Sequence, residues 1–214
     1  LTIQNHRNKP NPNVLQFVLI FGLLMLTCTR SFCQTITQKY DIEIAGITIG
    51  HMTVAQVTSP ASVVYDQTCN VEFWFFGKIR IAYKTLSRFD PNTSQLLRSD
   101  IDAHSNRGDY LSDVIWQKDH YDINVKQYKY ERKAVETQPI DFTAMQLYFE
   151  EPVGRSRVFA EYFGDYATIE PTRKGSYRIR IDDREDEYFY ENGKLIKIIK
   201  KNPIKNFVIR LSNS

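Results

Sequence analysis

From Tyr40 to Leu211 apolar and polar residues alternate again and again with a period of two, and a chain patterned in this way is committed to strands. Tyr40, Ile42 and Ile44 alternate with Asp41 and Glu43, Tyr121, Ile123 and Val125 with Asp122, Asn124 and Lys126, and Tyr177, Ile179 and Ile181 with Arg178, Arg180 and Asp182. Strand side chains point to opposite faces in turn, so each such run has one face for a core and one for water. The runs are joined by turn sequences. Asp90-Pro91-Asn92-Thr93 fits a type I turn and links Lys78–Phe89 to Gln95–His104 as a hairpin. Ala45-Gly46 and Ser105 to Gly108 are further turns, and Glu191-Asn192-Gly193-Lys194 is a strong hairpin signal because both central residues tolerate positive φ. Phe207, Ile209 and Leu211 form a last strand.

Nothing alternates strand with helix as a parallel sheet requires. One segment leaves the pattern: Thr143-Ala144-Met145-Gln146 has capping-box spacing and Pro152 follows as a stop, which predicts a short helix over Thr143 to Glu150. Several strands are apolar on both sides. Trp74 and Phe76 lie opposite the face of Cys69, Ile196 and Ile198 opposite Leu195 and Ile199, and Val208 opposite Ile209. A flat sheet with one wet face has no use for this. The expected fold is mainly β: a curved antiparallel sheet (half-barrel or open barrel) with one short helix, wrapped around that helix or around a ligand. With 214 residues, 9 glycines, 8 prolines and no repeat of 20–50 residues, the chain has neither linker nor array.

The first 34 residues are of another kind. His6, Arg7 and Lys9 precede an apolar run, Val14 to Leu26, and Ser31-Phe32-Cys33 is a small-x-small site. Thirteen helical residues reach roughly 20 Å, short of a ~30 Å hydrocarbon core. The order predicts a secretory signal peptide, residues 1–33, followed by one β-rich domain, residues 34–214, with no transmembrane span after processing. Arg7, Lys9 and Arg30 account for the whole net charge of +3. The remainder is neutral, which argues against nucleic acid as a partner. Cys69 alone of the three cysteines survives that cut, and its place among Val63, Tyr65, Gln67, Val71 and Phe73 predicts a buried structural thiol.

No motif assembles a catalytic centre. There is no Gly-x-Ser-x-Gly elbow, and His51, His104 and His120 sit beside no serine signature. Asp102 and His104, two residues apart on one strand face, are the best metal candidates, although Ile101 and Ala103 explain the same alternation as a solvated face. Asp100-x-Asp102 fails as an EF-hand because Ser105 replaces the required glycine and Leu111 the terminal glutamate. The acidic run Asp182 to Glu187 is explained by a turn, and the lysines from Lys194 to Lys205 by the guarding of strand edges. No cofactor is implied.

Four stretches together resemble a secreted family of Gram-negative bacteria, domain of unknown function 6134. They are Tyr40-x-Ile42-x-Ile44-x-Gly46-x-x-Ile49-Gly50, Leu147-Tyr148-Phe149-Glu150-Glu151-Pro152-x-Gly154, Phe159-x-Glu161-x-x-Gly164-x-Tyr166 and Tyr188-x-Tyr190-Glu191-Asn192-Gly193-Lys194-Leu195. The resemblance implies an exported, β-rich domain and brings no catalytic residues. More distantly the opening is similar to an envelope family with the half-barrel look of periplasmic lipoprotein carriers, an analogy of fold alone.

The sequence therefore predicts a non-enzymatic envelope protein, periplasmic or extracellular, that binds an apolar small molecule or lipid, or an envelope protein. Trp74, Phe76 and Trp116 are the expected lining of the concave surface. Two other readings stand beside it: an adaptor with a solid interior, and a metal-assisted hydrolase using Asp102 and His104.

Overall fold

The alternating runs become antiparallel strands, each paired to the next along the chain, in the computed structural model, which describes residues 32–74, 78–106, 108–127, 130–201 and 205–212. They are β1 (Gln34–Ile44), β2 (Ile47–Thr58), β3 (Val63–Trp74), β4 (Lys78–Phe89), β5 (Leu96–Ser105), β6 (Gly108–Trp116), β7 (Tyr121–Gln127) and β8 (Tyr130–Glu136). After a long connection come β9 (Arg157–Ala160), β10 (Asp165–Arg173), β11 (Ser176–Ile181), β12 (Arg184–Glu191), β13 (Lys194–Lys200) and β14 (Phe207–Leu211). The signal-peptide reading falls, but for Phe32 and Cys33, outside the described residues. Among the described residues no helix is long and apolar enough to cross a membrane.

All fourteen strands form one sheet in the order β8-β7-β6-β5-β4-β3-β2-β1-β14-β13-β12-β11-β10-β9. The turns agree with the local chemistry. Asp90 Oδ1 accepts the amides of Asn92 and Thr93 between β4 and β5. Asn192 and Gly193 turn with φ of 51° and 77°, as an Asn-Gly hairpin demands.

The sheet is strongly curved. Laid flat at the usual ~4.8 Å spacing, its edges β8 and β9 would stand roughly 60 Å apart. Instead Tyr130 in β8 lies 6.3 Å, ring to ring, from Phe163 just beyond β9. The edges meet through side chains rather than through a ladder. Gln127 Nε2 donates to the Tyr162 carbonyl at 2.6 Å, Tyr130 Oη to Phe163, and Arg132 Nε to Gly164, while Arg132 also pairs with Asp165 at 3.0 Å. Gly164 is required at this seam: its φ is +63°, and a Cβ there would stand 2.6 Å from an Ile123 methyl. The sheet is an open barrel closed by contact, not by hydrogen-bonded strands.

The connection from β8 to β9, residues 137–156, runs through the interior as a strap. The expected helix over Thr143 to Glu150 is a single 3-10 turn, Gln146–Tyr148. One half of the capping box forms, Gln146 Oε1 accepting the Thr143 amide at 2.9 Å. The flanks are committed elsewhere, because Thr143 bridges Phe159 and the Ala144 amide donates to the Phe159 carbonyl. These bonds also cover the free edge of β9. The strap divides the core in two. Ile140 and Met145 pack with Tyr65, Phe89, Leu96, Val114 and Tyr121, while Phe142, Leu147 and Tyr148 pack with Tyr40, Val54, Tyr190, Leu195 and Ile198.

Candidate functional site

In an antiparallel meander every second turn falls at the same end. The β4–β5, β6–β7, β10–β11 and β12–β13 turns mark one end, which the strap enters and fills. The β1–β2, β5–β6, β9–β10 and β11–β12 turns mark the other, and towards it the inner face loses its cover. In β4, Phe89, Ser87 and Thr85 are buried and Tyr83 is half-buried. In β6, Val114 and Ser112 are buried and Tyr110 is half-buried; Ile179 to Ile181 in β11 and Ile209 to Phe207 in β14 repeat the trend. In β13, Leu195 and Ile198 are wholly buried, but the next inward residue, Lys200, keeps 43% of its side chain in water.

Lys200 Nζ lies 2.7 Å from Asp186 Oδ2, its partner across β12 and β13. Burial lowers the lysine's affinity for its proton and the Asp186 carboxylate raises it. The carboxylate wins, so Lys200 stays charged, and its charge reaches Tyr83, Tyr148 and Tyr162. Around it stands an aromatic wall: the Tyr162 ring is 6.4 Å from Tyr83, 6.2 Å from Tyr110 and 5.1 Å from Phe163. Arg184 covers Phe163 at 5.2 Å, a cation–π distance.

Below this wall the interior is polar and buried. Glu161 is 2% exposed. Its carboxylate accepts the Ala144 amide at 3.0 Å, the Met145 amide at 3.4 Å and the Ser87 hydroxyl at 3.4 Å, which ties the strap to the β9–β10 turn. Ser112 Oγ donates to the Glu161 carbonyl at 2.8 Å. Burial pushes the Glu161 carboxyl above its ordinary range, against the pull of the Met145 and Ala144 amides.

The residues singled out in the sequence are dispersed. Trp74 is 79% exposed at the end of β3, on the face opposite Phe73, so it projects from the outside of the curve rather than lining the concavity. The Cys69 face is the inner one, and that fixes Trp74 on the other. Phe76 lies outside the described residues. Trp116 is on the inner face but at the filled end, with its ring 4.7 Å from Tyr121. Asp102 and His104 are neighbours on the exposed outer face. His104 turns Nε2 to Asp102 at 3.1 Å and Nδ1 to Asp109 at 2.9 Å, and these carboxylates hold its pKa above the usual value, the Asp109 hydrogen bond foremost. Among the described residues no group of three or more His, Cys, Asp and Glu side chains is placed to hold a metal ion. Cys69 is half-buried, and burial raises its thiol to about 11, which keeps it protonated.

Lys200, Asp186 and Glu161 were not recognised from sequence. The acidic run does contain the turn that was expected, at Asp182 and Asp183, but its strand portion sends Asp186 inwards while Glu185 binds Arg180 and Lys201 outside. The available signal was the pairing of an acidic and a basic strand across Asn192-Gly193.

A model of one protein family, domain of unknown function 6134, matches residues 40–212. A search of curated proteins found no match. Among solved structures the chain is similar to a β-barrel-like protein of domain of unknown function 1849 from Brucella abortus. The TM-score is 0.52 at 9% identity, over 85% of this chain and 97% of that one. A likeness at that identity speaks to the fold alone, and it agrees with the open barrel described above. The family match covers nearly all of the sheet from Tyr40 onward, and the chain belongs to the DUF6134 family.

Proposed function

We propose that this protein is an exported, non-catalytic binding protein of the cell envelope that takes an apolar ligand at the open end of its barrel. The observation that carries the reading is the loss of cover along the inner face. Strands whose inward side chains are fully buried at the strap end present half-buried Tyr83 and Tyr110 at the other, where the β9–β10 turn adds half-buried Tyr162 and Phe163. Aromatic bodies left partly wet at the mouth of a barrel offer contact area to a ligand at little entropic cost. The basic-apolar-small order of residues 1–33 supports export.

A partner protein is the second occupant to consider, because Trp74 stands 79% exposed on the outer face and exposed tryptophan is enriched at interfaces. A hydrolase at Asp102 and His104 has less behind it, since both ring nitrogens of His104 already face carboxylates on an exposed surface. Native mass spectrometry of the protein purified from its own cell envelope, with organic extraction of what co-purifies, separates the readings. A stoichiometric apolar molecule is the expected result. A clean mass together with a cross-linked partner mapped to Trp74 would overturn the ligand reading.

A further inference from the structure

The geometry points to a single anionic headgroup, a carboxylate or phosphate monoester on an amphiphile, as the feature the open end recognises, with Lys200 and Arg184 as its cationic partners. This rests on the ligand-binding reading above and specifies the ligand's class.

Three observations converge. First, Lys200 faces inwards yet is wetted, and Asp186 Oδ2 takes one of the three donors of its ammonium. Second, Arg184 begins the same β12 strand two residues before Asp186, so it shares the inner face, where it covers Phe163. No carboxylate pairs with Arg184 among the described residues, whereas Arg178 and Arg180 on the neighbouring strand are both held by Glu170 and Glu185. The carboxylates of Asp182 and Asp183 stay in the exposed β11–β12 turn. Of the described groups that reach water on the inner face at this end, two are cations and one, Asp186, is a carboxylate, while the Glu161 carboxylate lies buried beneath them, bonded to the Ala144 and Met145 amides of the strap. Third, the wall beside these cations is the Tyr83–Tyr110–Tyr162–Phe163 cluster, an apolar surface for the stub of a chain. The strap already fills the interior beneath, so the site has a floor at Glu161 and accommodates a headgroup with the adjoining part of its chain.

The test is a calorimetric titration of the purified protein, below the critical micelle concentration, with three probes: dodecyl phosphate, neutral dodecyl maltoside and inorganic phosphate. Dodecyl phosphate is expected to bind about tenfold more tightly than the maltoside, the worth of one charge-assisted hydrogen-bonded contact. Lys200→Met removes that preference and Lys200→Arg keeps it, with circular dichroism confirming that both variants are folded. Two results overturn the headgroup assignment while leaving the ligand-binding reading intact: equal affinity for the two detergents, or a phosphate preference unchanged in Lys200→Met. Inorganic phosphate binding as tightly as dodecyl phosphate would make this a free-anion site and overturn the amphiphile. Binding of neither detergent would overturn both readings together.

Discussion

The two ends of the barrel are built from the same strands and differ in what occupies them. At the strap end Leu147, Tyr148 and Phe142 from residues 137–156 complete a packed interior, with Tyr190 donating to the Leu147 carbonyl at 2.7 Å and Tyr121 to the Leu96 carbonyl at 2.7 Å. At the other end no strap arrives, and tyrosines with a lysine–aspartate pair remain in contact with water. A barrel of fourteen strands encloses more space than its own inward side chains fill. The chain covers one half with a dedicated segment and leaves the other open, so stability belongs to the first half, and the second is the half proposed to bind.

This division predicts a ranking of effects. Leu147→Ala at the filled end is expected to cost about 3 kcal/mol in denaturant unfolding, as large-to-small changes in a closed core do. A cost below about 1 kcal/mol would mean that the strap is loosely seated. Gly164→Ala, which forces a Cβ against Ile123 and Val125 at positive φ, is expected to cost about 2 kcal/mol by opening the seam between β8 and the β9–β10 turn. Tyr162→Ala at the open end should cost roughly 1 kcal/mol, because that ring is only half-buried, while weakening ligand binding more than either core change. A reversed order of the Leu147 and Tyr162 effects on stability would dissolve the distinction.

A pH series sharpens the same comparison from beneath the site. Glu161 has its carboxyl pKa raised by burial, so its contribution to stability is complete below the unfolded value near 4.5 and is lost as pH rises through the folded value. Wild type should therefore lose thermal stability relative to Glu161→Gln between pH 4 and pH 8. A difference between the two that stays constant over that range would place Glu161 in water. The smallest effect belongs to the outer face: Asp102→Asn should leave unfolding within about 0.5 kcal/mol of wild type.

Much of this architecture could be read from the residues. The Asp90-Pro91 and Asn192-Gly193 turns, the face that Cys69 shares with Val71 and Phe73 and the pairing of Lys78–Phe89 with the following strand all follow from alternation and turn chemistry. Lys200 did not, and the reason is a bulge. The register shift between Phe189 and Tyr190 places Leu195 opposite Tyr190 and Ile198 opposite Tyr188, so residues three apart share the inner face and Lys200 follows them inside. Counted by twos from Leu195, Lys200 falls outside, and the strand looks apolar on both sides. The strap was hidden for a different reason. Its short helix was signalled, but its passage between two core clusters depends on long-range contacts that no local pattern encodes. Trp74 was placed correctly opposite Cys69, and what the sequence lacked was which of the two faces is concave.

Tyrosines at both ends of the barrel make side-chain labelling the most direct test of an interior that is closed at one end and open at the other. Tyrosine-specific modification of the folded protein, mapped by peptide mass spectrometry, should label Tyr83, Tyr110 and Tyr162 and spare Tyr40, Tyr121, Tyr188 and Tyr190, with dodecyl phosphate protecting the first three. Equal labelling of the two sets, or sparing of all seven, would contradict the account.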